Sequence, residues 1–124
     1  MDYSKMSDFE INKRVFTALR GTKPLGYPHN ADGRSVGNES NGNYTWYDYC
    51  NLPADSWAII QENGISINHY NGVWEASFEW DAPVGAFGTD ETVTTSTEHK
   101  NPLRAAMVAY LMMREVSDVQ GNPA

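Results

Sequence analysis

The run Asn101-Pro102-Leu103-Arg104-Ala105-Ala106-Met107-Val108-Ala109-Tyr110-Leu111-Met112-Met113 sets the tightest limit on how this chain can fold. Asn101 can accept hydrogen bonds from free amides at a helix start, and Pro102 at the first helical position loses no bond. Leu103, Ala106, Met107, Tyr110 and Leu111 follow at helical spacing, while Val108, Ala109, Met112 and Met113 make the other faces apolar too. A helix apolar nearly all round must be covered nearly all round. The run is too short for a membrane span, which takes about 20 apolar residues, so protein has to supply the cover. A helix over 102–116 is therefore expected at the centre of the fold, with residues 117–124 as a short mobile tail.

With 124 residues, the chain is sized for a single domain spanning 1–124, with one core. Its formal charge of -7 argues against nucleic acid and against anionic membranes, which draw affinity from Lys and Arg. A single cysteine, Cys50, excludes an intramolecular disulfide framework. Together with the lack of a signal-like N-terminal segment, it points to the reducing cytoplasm.

Ser7-Asp8-Phe9-Glu10 has the form of a capping box and opens a helix over 7–20, whose apolar stripe is Ile11, Val15, Ala18 and Leu19 and whose end is Gly21. Residues 22–43 are rich in Gly, Asn, Ser and Pro and read as a flexible, irregular insertion. Tyr44 to Cys50 reads as an aromatic strand. Asn51 then caps a helix over 52–63 that turns Ala54, Trp57, Ile60 and Ile59 to the core and closes at Asn63-Gly64. Asn71-Gly72 between two alternating runs is a strong hairpin signal, because both turn residues must take positive φ. Its register over 65–80 pairs Tyr70 with Val73, His69 with Trp74, Ile67 with Ala76 and Ile65 with Phe78. One face of this hairpin is then dry and the other wet. Thr92 to Thr97 is expected as an edge strand. These elements define an α+β domain: a small antiparallel sheet of three to four strands with about three helices on one side.

The opening Met1-Asp2-Tyr3-Ser4-Lys5-Met6-Ser7-Asp8-Phe9-Glu10-Ile11-Asn12-Lys13-Arg14-Val15, the central Tyr49-Cys50-Asn51-Leu52-Pro53-Ala54-Asp55-Ser56-Trp57 and the later Asn101-Pro102-Leu103-Arg104-Ala105-Ala106-Met107 resemble the NinX family. These are small accessory proteins encoded in the nin region of lambdoid phages and prophages. The resemblance implies a cytoplasmic protein of a bacterial host cell and assigns no catalytic role to any position. The order of elements is also similar to phage α/β sandwich domains, which implies helices on a small sheet.

No catalytic set assembles from the residues. The three histidines and Cys50 lack metal-ligand spacing, so neither a metal nor another cofactor is expected. Tyr47, Tyr49, His69 and Arg104 are the candidate binding residues. The tyrosines could line a pocket. His69, opposite Trp74, is expected as a packed histidine rather than a base. Arg104 opposes the dipole of its own helix and is expected in a structural ion pair, with an acidic residue of the hairpin as one candidate partner. The preferred reading is a non-enzymatic module that binds a host or phage protein, through an acidic aromatic surface or by homo-oligomerisation through the 102–116 helix. The alternative is a ligand-binding domain or enzyme acting on nucleotides or nucleic acid.

Overall fold

Asn101 starts the central helix as its side chain predicts, its Oδ1 accepting from the amides of Leu103 at 2.9 Å and Arg104 at 3.3 Å. This helix, α3, runs Pro102–Gln120 in the computed structural model, which describes residues 1–84 and 89–120. It continues past the expected end at 116 into the segment read as a tail, and residues 121–124 of that segment lie outside the described residues. Every residue from Arg104 to Leu111 is buried. The chain therefore covers its own apolar helix there, while Met112 and Met113 beyond it are only half-buried.

Helix α1, Asp8–Arg20, provides part of the cover. The Ser7 hydroxyl accepts from the Glu10 amide at 3.1 Å, and Gly21 ends the helix at φ 73°. Ile11 and Val15 are buried as the stripe predicts, joined by Phe16 and Asn12. Leu19 lies on the same face one turn further on, yet it is 44% exposed. Helix α2, Pro53–Asn63, ends at Gly64 with φ 63° and buries Ser56, Ile59 and Ile60. Three expectations fail at its start. Leu52 takes the N-cap position with no side-chain cap bond, Ala54 is exposed, and Trp57 is 59% exposed. Asn51 is drawn elsewhere by polar partners, and the helix buries Ser56, whose hydroxyl donates back to the Leu52 carbonyl at 3.2 Å.

The sheet is antiparallel in the order β3-β4-β5, with β3 at Ser66–Tyr70, β4 at Val73–Val84 and β5 at Thr89–His99. Tyr70 pairs with Val73, His69 with Trp74 and Ile67 with Ala76, around Asn71 and Gly72 at φ 52° and 77°. Ile65, Ala76 and Phe78 are buried toward α3, which lies between this sheet on one side and α1 with α2 on the other. The dry face ends before the hairpin tip. His69 is exposed, its ring only tilted against Trp74 at 4.7 Å, so it is not the packed histidine expected. Strand β5 outruns the expected 92–97 at both ends and thereby brings Glu98 opposite Glu75.

A second, two-stranded sheet lies where the irregular insertion was expected to continue. Val36–Ser40 (β1) pairs with Asn43–Tyr47 (β2) across Asn41-Gly42, both at positive φ. The loop before it is tied down by bonds from the Leu25 amide to the Gly37 carbonyl at 2.9 Å and from the His29 amide to the Ser35 carbonyl at 3.1 Å. Asp32 adds a turn: burial raises its carboxyl, but the Ser35 hydroxyl and the amides of Ser35 and Arg34 win and hold it down to about 2. The fold is α+β: among the described residues, three α-helices with two small antiparallel sheets in place of one.

Gly37 is buried under the Trp46 ring, and a Cβ there would meet Trp46 at 2.6 Å and Leu25 at 2.9 Å. Gly37→Ala is expected to cost about 1–3 kcal/mol through overpacking. Met107→Ala, in the fully covered part of α3, is expected to cost about 2–5 kcal/mol. Urea denaturation measures both, and a change below about 0.5 kcal/mol in either would contradict the packing described.

Candidate functional site

Polar side chains from four parts of the chain meet beneath the start of α3. Asn12 on α1 donates to the Arg34 carbonyl and to Asp48 Oδ1, both at 3.0 Å, and accepts from the Cys50 amide at 3.0 Å. The second Asp48 oxygen accepts from Arg34 Nε at 2.6 Å. Asn51 donates to Asp8 and Asp48 at 3.0 Å each and accepts from Asn101, which also donates to the Cys50 carbonyl at 2.7 Å. Arg104 is 7% exposed; it donates to Asp8 Oδ1 at 2.6 Å and to the carbonyls of Met6 at 2.6 Å and Tyr3 at 3.1 Å. Among the described residues no buried side-chain nitrogen or oxygen lacks a partner. Two carboxylates thus face two guanidiniums, and no charge is left for a ligand. Burial would raise the Asp8 carboxyl, but bonds from Asn51 and Arg104 outweigh it and keep it below its ordinary value. Burial, with Asp8 nearby, pushes the Cys50 thiol well up, so it is no nucleophile at neutral pH.

A groove opens on the surface next to this network. Leu19, Arg20, Tyr47, Tyr49, Ala54, Asp55, Ala58, Ile59 and Glu62 line a space of about 310 Å³ between the end of α1, β2 and α2. Two residues apart along the chain, Tyr47 and Tyr49 lie on one side and stack with centroids 5.8 Å apart at 4°. The Arg20 guanidinium lies 4.9 Å from the Tyr47 ring and 4.8 Å from Phe16, and it donates to the Tyr47 hydroxyl at 2.7 Å. Burial raises the Tyr49 phenol to about 12, against the pull of Arg20. Asp55 accepts from the Asp48 amide at 2.9 Å and joins the groove to the buried network. Such walls seat an apolar or planar group, with one cation and two carboxylates at the rim.

The four candidate residues therefore divide. Tyr47 and Tyr49 come together in the groove, Arg104 is internal and paired with Asp8 of α1 rather than with the hairpin, and His69 lies exposed on the sheet. Arg20, Leu19 and the α2 residues of the groove were missed. Leu19 was counted as core, and no local pattern brings Arg20 to Tyr47. Among the described residues no group of three His, Cys, Asp or Glu side chains could hold a metal ion, and no helix is long and apolar enough to cross a membrane.

The three stretches that carry the sequence resemblance converge on the buried network through Asp8 and Asn12, Cys50 and Asn51, and Asn101 and Arg104. A family model described as Bacteriophage P22, NinX matches residues 2–114, and the chain belongs to that family. No curated protein matches it.

Removing Asp8 leaves the Arg104 guanidinium buried with backbone carbonyls alone. Asp8→Ala is expected to destabilise the fold by about 3 kcal/mol at neutral pH. Because the folded-state value of Asp8 is depressed, its contribution is present above the unfolded value of about 3.9 and is lost as pH falls through the lower folded value. Urea midpoints from neutral to strongly acidic pH should therefore fall more steeply below about pH 4 in the wild type than in Asp8→Asn. Parallel curves would rule out this pair as a source of the acid sensitivity.

Proposed function

We propose that this NinX-family chain is a phage accessory protein that acts by binding a polypeptide of host or phage origin, without chemistry of its own. The groove of Tyr47, Tyr49, Arg20 and Leu19 carries this reading. Leu19 is 44% exposed in it. Tyr, Trp and Arg are the residue types that most often anchor protein interfaces, and large apolar side chains left in water beside a concavity mark such sites. Asp55 and Glu62 at the rim, on a chain of net charge -7, suit an apolar side chain flanked by Lys or Arg. The bacterial cytoplasm fits a buried, unpaired Cys50.

The stacked tyrosines support a second reading, in which the groove takes a planar small molecule. A nucleotide suits it less well, since its phosphates would approach Asp55 and Glu62 while Arg20 is already engaged by Phe16 and Tyr47.

Leu19→Glu combined with Ala58→Glu places two charges in the groove at positions already exposed, so stability should change by no more than about 1 kcal/mol. Wild type and the double variant are each used to capture proteins from phage-infected host lysate, with cross-linking to the groove mapped. A protein held by the wild type, cross-linked there and lost by the variant supports the proposal. Identical capture by both defeats it. Thermal stabilisation by an aromatic small molecule, abolished by Tyr47→Ala, would favour the second reading instead.

A further inference from the structure

The sheet ends in an open edge. Strand β5 pairs with β4 along its full length, Thr89–His99, and rests on α3, and among the described residues no strand borders its other side. None of the backbone hydrogen bonds made outside the described helices and strands reaches it. Edge strands are usually blunted by brevity, charged side chains, Lys above all, Pro or bulges. This one has eleven residues, is rich in Thr, contains no Pro or Lys, and carries its charge as Asp90, Glu91 and Glu98. We propose that the β5 edge takes an extended, basic segment of a partner polypeptide as a fourth strand of the sheet.

Charge selects the partner. Glu75 and Glu98 stand directly opposite each other across β4 and β5, an arrangement that costs stability. Tyr70 lies within reach of both, its hydroxyl 2.9 Å from Glu75 Oε2 and 2.7 Å from Glu98 Oε1. A phenol has one hydrogen to donate, so one carboxylate is always left without it. Among the described residues neither glutamate has a Lys or Arg partner. A Lys or Arg on a strand laid beside β5, projecting to the same face as Glu98, supplies the missing cation. The same charges act against a second copy: antiparallel self-pairing centred between Thr94 and Thr95 would set Glu91 against Glu98. Main-chain bonds provide affinity in such strand addition, and alternate side chains provide choice. The edge and the groove are separate surfaces, and this inference does not rest on the groove.

The test uses the full chain labelled with ¹⁵N and a peptide of about ten residues, a common strand length, alternating lysine with valine. A second peptide of the same sequence is N-methylated at alternate backbone nitrogens along one edge. Addition of the first should shift amide resonances of 91–99 and leave those of Tyr47 and Ala58 in place. N-methylation should weaken binding at least about tenfold, since several main-chain bonds are lost. Glu75→Gln with Glu98→Gln should weaken it about tenfold and reduce its salt dependence. The Leu19→Glu and Ala58→Glu variant should bind the peptide as the wild type does. Equal binding of both peptides would reveal general charge attraction and overturn the proposal. Shifts centred on the groove, no shift at millimolar peptide, or a dimer joined through β5 in sedimentation and cross-linking would each do the same.

Discussion

The buried pairing of Arg104 with Asp8 is the interaction on which the rest of the structure depends. A guanidinium in the first turn of a helix opposes the helix dipole and, once buried, must be fully partnered. Asp8, in the first turn of α1, is well placed for its own dipole and supplies the counter-charge. The carbonyls of Tyr3 and Met6 complete the set. One side chain thus orients α1 against α3 and fixes the chain ahead of α1. Asn12, Asn51, Asp48 and Asn101 extend the same logic to the turn after β2. Each is an amide or acid with at least one partner far away in sequence, so the network ties these elements together over the apolar core.

Much of this fold could be read from local signals. Ser7, Gly21, Gly64, Asn101 and Pro102 mark helix ends through chemistry confined to a few neighbouring residues, and Asn71-Gly72 sets the hairpin register through its own backbone. The errors have physical causes as well. Asn41-Gly42 is the same turn signal as Asn71-Gly72, but the strands beside it carry Gly37, Asn38, Glu39 and Ser40, which lack apolar alternation because that small sheet is largely exposed beyond Val36 and Gly37. Asn51 resembles a cap by type and position. Its amide instead serves Asp8 and Asp48, partners that only the folded chain brings near. Trp57 was assigned to the core with Ala54, Ile59 and Ile60, whereas the helix turns Ser56 inward.

The candidate site was legible only in part. Tyr47 and Tyr49 were named as aromatic residues that could line a pocket, in a stretch read as a strand. Arg20, Leu19, Ala54 and Ala58 were not, since a groove assembled from α1, β2 and α2 leaves no pattern in any one of them. The opposed Glu75 and Glu98 escaped for a related reason: the strand holding Glu98 was drawn too short. Sequence periodicity reports burial well, and it reports cross-element pairing poorly.

The position of α3 in the chain has a consequence for how the protein is made. This helix leaves the ribosome after every element it organises, and its contacts reach back through Arg104 to Asp8 and through Glu115 to the hydroxyl of Tyr3. Until it emerges, α1 and the faces of α2 and the sheet that pack on it have no common surface to settle against. Folding of these elements must then wait for the synthesis of α3 and proceed through long-range closures, which are slow to form. Until that helix is made, a nascent chain of this kind holds its apolar faces exposed, and it acquires this structure all together.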